Sequence, residues 1–284
     1  QVTINEPDTI ITNGVVTDIS CYDQIDGSID LTTIGGALPY TFVWTSTAIG
    51  FIDPGTEDLS SLDSGLYTVT ITDFNGCNYD TSFTITKPSE IFASGTSTDV
   101  ICYNDSSGTI TLNTNSGAGL YTWLWTGPNG YTSTNESLTG LDTGTYDVTI
   151  TDINGCTKDT SFTISQPIDL VITVDLTTDV DCNGNGNGAI DVTISGGTPG
   201  YTPLWTIITP GGGLVPSAQN QSTLDGGTYQ LLVTDANLCV DSVQVTINEP
   251  DTIITNGVVT DISCYDQIDG SIDLTTIGGA LPYT

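Results

Sequence analysis

The sequence predicts an all-β protein built from small two-layered β-sandwich modules that follow one another along the chain. Apolar and polar residues alternate in short segments, which is the period of a strand with one buried face. Landmark residues recur about every 80 residues, as in repeat proteins. No segment shows the period of a helix. Together these observations predict tandem copies of one antiparallel sandwich.

The repeat has two levels. Residues 244–284 are identical to residues 1–41, so the chain holds one 243-residue long repeat and the start of the next. Inside it, prolines recur at steps of 81, 79 and 83 residues, at Pro7, Pro88, Pro167 and Pro250. These steps predict a last strand of a preceding module over 1–7, module 1 over 8–88, module 2 over 89–167 and module 3 over 168–250. A truncated start of module 4, repeating 8–41, is predicted over 251–284.

Each module is predicted to be a sandwich of seven strands, A to G. In the segment YTVTITD, Tyr67, Val69 and Ile71 face one way and the threonines face the other, as in a sheet that is wet on one side. The same pattern predicts strand B near 28–34, C near 40–45, F near 66–74 and G near 78–86. Six aromatic residues are predicted to form the core signature: Trp44, Tyr67, Trp125, Tyr146, Trp205 and Tyr229.

Turn residues mark the ends of these strands. Asn75-Gly76 and Asn154-Gly155 predict type I′ hairpins between strands F and G. The phrase Leu-Asp-x-Gly-x-Tyr before strand F is typical of the tyrosine corner of immunoglobulin-like sandwiches. Pro203 falls inside strand C of module 3, so we expect that strand to pair poorly.

The composition excludes several classes of function. There are 34 acidic and 2 basic residues, no His and a net charge of −32, so nothing can neutralise the phosphates of a nucleic acid. No apolar run approaches the ~20 residues of a membrane helix, so no membrane insertion is expected. Without His, Arg or a phosphate-binding loop, we do not expect an enzyme. With no signal peptide and no Met at its start, we expect an internal segment of a larger secreted protein.

Seven cysteines in a β-rich secreted chain indicate disulfides: Cys21, Cys77, Cys102, Cys156, Cys182, Cys239 and Cys264. Pairing within modules would join Cys21–Cys77, Cys102–Cys156 and Cys182–Cys239. Strand direction opposes it, because the first cysteine follows strand A at one end and the second follows strand F at the other. Pairing between neighbouring modules would join Cys21–Cys156 and Cys102–Cys239, and the other three would reach partners outside this segment. Free thiols are the third alternative.

Acidic residues recur at three positions of each module, and they suggest calcium. If modules stack head to tail, Asp18, Asp63 and Asp152 gather at one junction, and a second junction has Asp99, Asp142 and Asp235. Three carboxylates with carbonyl oxygens suit Ca²⁺. The alternative is that these residues are turn formers that accept local hydrogen bonds. No cofactor other than Ca²⁺ is expected.

The string DGSIDLTTIGGALPYTFVW, with LSSLDSGLYTVTITDFNGC after it, resembles the SprB-type repeat of giant surface adhesins in gliding bacteria. It resembles polycystic-kidney-disease-type (PKD-like) sandwich domains more loosely. The likeness covers all three modules; in module 1 it runs through Gly27, Gly36, Tyr40, Trp44, Gly65, Tyr67, Asp73, Gly76 and Cys77. Module 3 departs from it, with Leu238 in place of the turn glycine. The resemblance implies a cell-surface protein that is exported by the type IX route and serves adhesion during gliding.

The expected function is mechanical. Short proline linkers between sandwich modules predict a linear rod, the stalk of an extracellular adhesin, whose partners are neighbouring modules of the same chain or filament. The rival interpretation is a set of calcium-dependent glycan-binding modules with surface polysaccharide as the partner.

Overall fold

A computed structural model of the chain describes residues 6–280, 282 and 283, and every regular element longer than one turn is a β-strand. The strand predicted over 1–7 falls mainly on residues 1–5, which lie outside the described residues. The chain divides into two compact units. Unit 1 comprises Gln1–Thr98 and Gly108–Ile164, and unit 2 comprises Asp99–Ser107 and Ser165–Thr284. No helix among the described residues is long and apolar enough to cross a membrane.

Module 1 contributes two three-stranded antiparallel sheets to unit 1. Its strands are β1 (Ile11–Thr17), β2 (Gly27–Ile34), β3 (Thr41–Ser46), β4 (Leu59–Leu62), β5 (Gly65–Thr72) and β6 (Asn78–Ile85). The sheet orders are β1-β2-β4 and β3-β5-β6. In sandwich nomenclature these are strands A-B-E and C-F-G. The predicted strands B, C, F and G are therefore confirmed within one or two residues of their expected bounds.

The inner faces of these two sheets form the module's core. Trp44 of β3 is 2% exposed, and Tyr67, Val69 and Ile71 of β5 are all at most 1% exposed. They pack in one cluster with Ile29 and Leu31 of the facing sheet. Burying each such side chain contributes roughly 1.5–3 kcal/mol. The indole of Trp44 stays satisfied because it donates to the carbonyl of Thr56 at 2.9 Å.

Module 2 supplies the second pair of sheets of unit 1. Its strands are β7 (Ile91–Thr98), β8 (Gly108–Ser116), β9 (Thr122–Thr126), β10 (Thr132–Ser133), β11 (Leu138–Leu141), β12 (Gly144–Thr151) and β13 (Thr157–Ile164), with a single 3-10 turn at Pro128–Gly130. The sheet orders are β11-β8-β7 and β10-β9-β12-β13. Trp125 and Tyr146 are 0% and 2% exposed, so the core signature occupies the same places as in module 1.

Unit 2 contains module 3 and the start of module 4. Its strands are β14 (Val171–Thr178), β15 (Gly188–Ser195), β16 (Thr202–Ile207), β17 (Gln221–Leu224), β18 (Gly227–Thr234), β19 (Val240–Ile247), β20 (Ile254–Thr260) and β21 (Ser271–Ile277). The sheet orders are β14-β15-β17, β16-β18-β19 and β20-β21. Trp205 and Tyr229 lie in the core of module 3, at 1% and 0% exposure.

The start of module 4 shows what the second sheet does. Ile272 and Leu274 of β21 are 69% and 63% exposed, whereas their sequence equivalents Ile29 and Leu31 are 0% and 3% exposed. The amino-acid sequence is the same in both modules, but β20 and β21 have no facing C-F-G sheet among the described residues. Burial in these modules thus comes from packing one sheet on the other.

The prediction of seven strands in every module is wrong for modules 1 and 3. Each has six described strands, and the seventh in module 2 is the two-residue β10, which pairs with β9. The segment between β3 and β4 contains Gly50, Pro54 and Gly55 and has no alternation. Glycine and proline weaken strand pairing, so this segment forms a loop.

The prediction that Pro203 disrupts strand C of module 3 is also wrong. Strand β16 pairs with β18 without a register shift, and Pro203 lies opposite Val233. β16 is an edge strand. The N–H of Trp205 donates to Pro216, away from β18, at 2.9 Å. The nitrogen of Pro203, two residues earlier, faces the same side, so no hydrogen bond to β18 is lost.

Candidate functional site

The second cysteine of each module sits on the hairpin between strands F and G. In module 1 the N–H of Gly76 donates to the carbonyl of Asp73, and the N–H of Asp73 donates to the carbonyl of Cys77, both at 3.0 Å. Gly76 has φ +84°, whereas Asn75 is outside the left-handed region. This is a three-residue loop with a type I turn and a bulge. The predicted type I′ turn, which needs two positive φ values, is therefore wrong here.

A buried aspartate at the end of strand F explains this turn. Asp73 is 5% exposed. Its Oδ1 accepts from the N–H of Asn75 and of Cys77, each at 2.9 Å, and its Oδ2 accepts from Ala37 at 3.0 Å. The carboxylate thus fixes the hairpin and ties it to the bend before strand C. Asp152 and Asp235 make the same three contacts in modules 2 and 3.

These hydrogen bonds favour the charged carboxylate. The N–H groups of Ala37 and Cys77 hold the pKa of Asp73 below its ordinary value of 3.8. Burial raises the pKa of Asp235, but donors from Thr198, Cys239 and Asn237 outweigh it, and the pKa lies below the ordinary value. The hairpin cap is consequently ionised at neutral pH.

The first cysteine of each module lies in a loop after strand A that is tied to the end of strand G. In module 1 the N–H of Ile19 donates to the carbonyl of Thr86 at 3.0 Å. The N–H of Thr86 returns a bond to Oδ1 of Asp18 at 2.7 Å. The pairs Asp99–Ser165 and Asp179–Asn248 repeat this contact. The loop that carries Cys21 is therefore positioned beside the linker into module 2.

Two disulfides join first cysteines to hairpin cysteines. Cys21 is bonded to Cys156 with a Cα–Cα distance of 5.5 Å, inside unit 1. Cys102 is bonded to Cys239 with a Cα–Cα distance of 5.6 Å, inside unit 2. Both are pairings between neighbouring modules. Pairing within modules is therefore wrong for all four of these cysteines.

The other three cysteines are exposed thiols: Cys77, Cys182 and Cys264. Cys77 is a hairpin cysteine, while Cys182 and Cys264 are first cysteines. That these three reach partners outside this segment stays a prediction.

Polar contacts accompany the bridge between Cys21 and Cys156. Asn154 of the hairpin donates through Nδ2 to the carbonyl of Ser20 at 3.3 Å. Lys158, just after the hairpin, forms an ion pair with Glu90 of the linker at 2.7 Å. Both side chains are partly exposed, so water and salt screen this ion pair and it contributes little to stability. The covalent bond dominates the junction.

The predicted calcium ligands are not brought together. Among the residues that the structure describes, no group of three or more His, Cys, Asp or Glu side chains could hold a metal ion. Asp18 and Asp99 accept from the start of a linker, and Asp152 and Asp235 cap hairpins. The structure instead gives Asp18, Asp73 and their equivalents the role of local acceptors, which was the alternative interpretation.

The tyrosine corner is present in every complete module. The phenol of Tyr67 donates to the carbonyl of Asp63 at 2.8 Å, and Tyr146 and Tyr229 donate to Asp142 and Asp225 at 3.1 and 2.8 Å. The carboxylate of Asp63 lies 3.7 Å from Lys87. Its pKa is lowered first by the N–H of Ser64 and also by the charge of Lys87. These corners support strand F, which leads to the hairpin cysteine.

Sequence reasoning missed the hydrogen-bonding role of a second recurrent tyrosine. The phenols of Tyr40, Tyr121 and Tyr201 donate to the carbonyls of Gly35, Ser116 and Gly196. Each bond holds the bend that the hairpin aspartate also contacts. The signal was available, since each of these tyrosines stands four residues before the core Trp.

The chain matches the model of one known protein family. The model of the SprB repeat matches it at residues 13–48, 94–130, 175–209 and 256–284. None of the curated proteins compared with the chain matches it.

The solved structures that match this chain have low sequence identity to it. Sidekick-1 immunoglobulin domains 1–5 has 11% identity and a TM-score of 0.34, over 86% of this chain and 59% of that one. The N-terminal eight Ig domains of Down syndrome cell adhesion molecule have 10% identity and a TM-score of 0.39, over 87% of this chain and 44% of that one. A tetra-tandem repeat from the extending region of a large adhesion protein has 14% identity and a TM-score of 0.25, over 94% of this chain and 89% of that one. The chain thus spans about half the length of the first and second of these structures.

The four SprB matches fall at equivalent places in the four predicted modules. The first three each begin in strand A and end just past strand C, and the fourth begins in β20. In the three complete modules the strands form paired antiparallel sheets with tyrosine corners. The chain is an array of SprB-type repeats, folded as tandem immunoglobulin-like β-sandwich modules.

Proposed function

We propose that this chain is part of the extracellular stalk of a bacterial surface adhesin, serving attachment or gliding motility. The observation that carries the proposal is the Cys21–Cys156 bridge, which joins one module to the next. A binding domain needs only internal stability. A bond between neighbours is useful where modules must stay in register under load.

The repeat architecture supports the same role. Quasi-one-dimensional arrays grow by adding similar modules, each of which contacts its neighbours. The net charge of −32 on 284 residues would keep neighbouring stalks apart and soluble. Disulfides persist in oxidising surroundings, which supports export to the cell surface, with type IX secretion as the proposed route. The proposed role is structural, with no catalysis.

The test is to delete one long repeat in frame from the full-length protein of the native bacterium. Labelling intact cells with an antibody against this segment should still show it at the surface. Electron microscopy should show shorter surface filaments, and attachment under flow or gliding should weaken. Unchanged filament length, or labelling only after cell lysis, would contradict the proposal.

Surface polysaccharide is the proposed partner of the adhesin as a whole. We expect its binding region to lie elsewhere in the full protein. The purified 284-residue chain should therefore show no saturable binding on an array of bacterial glycans. Saturable binding that a chelator abolishes would favour the rival glycan-binding function instead.

A further inference from the structure

We propose that the disulfides carry mechanical load around the body of each module, so that a pulled array cannot lengthen by unfolding its modules. The biological value of this property rests on the proposed stalk function. The property itself follows from which strands lie between the bridged cysteines.

One covalent path can be followed through this chain from Cys77 to Cys264. It runs along residues 77–102, crosses the Cys102–Cys239 bridge and continues along residues 239–264. The strands on it are β6, β7, β19 and β20, which are strands G and A of successive modules. Every strand from β8 to β18 lies off this path.

A second path begins at the other bridge. It enters at Cys21, crosses to Cys156 and runs along residues 156–182 through β13 and β14. These are again a strand G and the strand A that follows it. Strands B, C, E and F of module 2 belong to neither path, since they all lie between Cys102 and Cys156.

The strands on these paths can lengthen very little. A strand already rises ~3.3 Å per residue, while a fully extended chain spans at most ~3.6 Å per residue. The first path has about 50 residues, so it cannot exceed ~180 Å however much of the protein unfolds. Without the Cys102–Cys239 bridge, the shortest route uses the other bridge and has about 164 residues, or ~590 Å.

The two paths cross a module side by side. In module 2, strand A (β7) lies on the first path and strand G (β13) on the second, and the two are adjacent, because a Cβ placed on Gly95 of β7 would lie 2.9 Å from the ring of Phe162 of β13. The bond between Asp99 and Ser165 ties the ends of the same two strands together. Load would therefore be shared by two neighbouring strands, with the remaining strands packed against them.

The free cysteines supply the handles for the test. Cys77 and Cys264 are exposed and mark the two ends of the first path. Replacing Cys182→Ser leaves these as the only thiols of the oxidised protein, so that DNA handles can be attached to both. The molecule is then stretched in optical tweezers without reductant.

With both bridges intact, we expect the distance between the handles never to exceed ~180 Å, with no long unfolding step. The double variant Cys102→Ser with Cys239→Ser should extend about threefold further, to ~590 Å. The matched control, Cys21→Ser with Cys156→Ser, removes the bridge that is not on the tested path. It should keep the ~180 Å limit.

Extension of the intact protein well beyond ~180 Å would overturn the proposal. So would an extension limit that is unaffected by loss of the Cys102–Cys239 bridge. Neither result depends on adhesion: unchanged filament length after the repeat deletion in cells, with this limit intact in the purified protein, would count against the stalk function alone.

Discussion

Oδ1 of Asp235 accepts a hydrogen bond at 2.9 Å from the backbone N–H of Cys239, the residue bonded to Cys102. A buried carboxylate therefore positions the cysteine that links module 3 to the preceding loop. The same relation holds between Asp152 and Cys156. In all three modules the hairpin cysteine follows, four residues later, an aspartate whose carboxylate holds the turn.

Replacing Asp235→Asn should lower the free energy of unfolding by about 1–3 kcal/mol, because the amide nitrogen cannot accept the N–H of Thr198. Denaturant unfolding of the oxidised protein, followed by Trp fluorescence, measures this change. Asp30→Asn, on the exposed face of β2, removes the same charge and should change stability by less than about 0.5 kcal/mol. Equal effects of the two variants would contradict the capping role.

The pH dependence follows from the lowered pKa of Asp73 and Asp235. Groups whose pKa is depressed by folding contribute stability above their unfolded pKa, which is close to the ordinary value of 3.8. This contribution is lost as the pH falls below 3.8 and through the folded pKa. Melting curves between pH 7 and pH 2 should show it, and the combined Asp73→Asn and Asp235→Asn variant should lose less stability over that acid range. A variant with the same acid sensitivity as the wild type would refute the assignment.

Leu238 occupies a left-handed backbone position with φ +69°, where modules 1 and 2 have glycine. Its side chain is 79% exposed, so little burial offsets the backbone cost. Leu238→Gly should therefore stabilise the protein by about 1 kcal/mol. At Gly155, with φ +84°, a Cβ would meet nothing within 4 Å, so the reverse change, Gly155→Leu, should destabilise by a similar amount through backbone strain. Thermal melting checks both, and a destabilised Leu238→Gly would contradict the strain.

The tyrosine corner can be tested by removing one oxygen. Tyr67→Phe loses the bond to the carbonyl of Asp63 and leaves that partly buried acceptor without this donor, so stability should fall by about 1 kcal/mol. Tyr22→Phe is the control, because Tyr22 is 49% exposed and Phe keeps the ring beneath Lys87. If the two variants have the same stability, the corner contributes nothing.

The sequence was sufficient for much of this fold. Alternation around Tyr67 located strand F, and the spacing of Trp44, Trp125 and Trp205 located strand C. The sequence was insufficient where contacts between distant residues determine the local structure. The turn at Asn75-Gly76 is not type I′, because the side chain of Asp73 caps a longer loop. Pro203 is harmless because β16 is an edge strand, and edge position depends on sheet order. The calcium prediction required Asp63 and Asp152 to converge, whereas each is engaged locally.

Removing a bridge should cost substantial stability. Each closes a long loop, with sequence separations of 135 and 137 residues, for which the chain-entropy model gives about 5 kcal/mol. The Cys21→Ser and Cys156→Ser double variant should melt clearly below the wild type under oxidising conditions. Excess reductant should lower the melting temperature of the wild type further, since it opens both bridges. A melting temperature that is the same in the double variant and in excess reductant as in the oxidised wild type would argue against a structural role for the bridges.

The most direct measurement is a disulfide map of the oxidised 284-residue protein by proteolysis and mass spectrometry without reduction. The structure predicts peptides that join Cys21 to Cys156 and Cys102 to Cys239, with Cys77, Cys182 and Cys264 alkylated. Peptides joining Cys21 to Cys77, Cys102 to Cys156 and Cys182 to Cys239 would contradict the linkage between neighbouring modules, and with it the covalent load path.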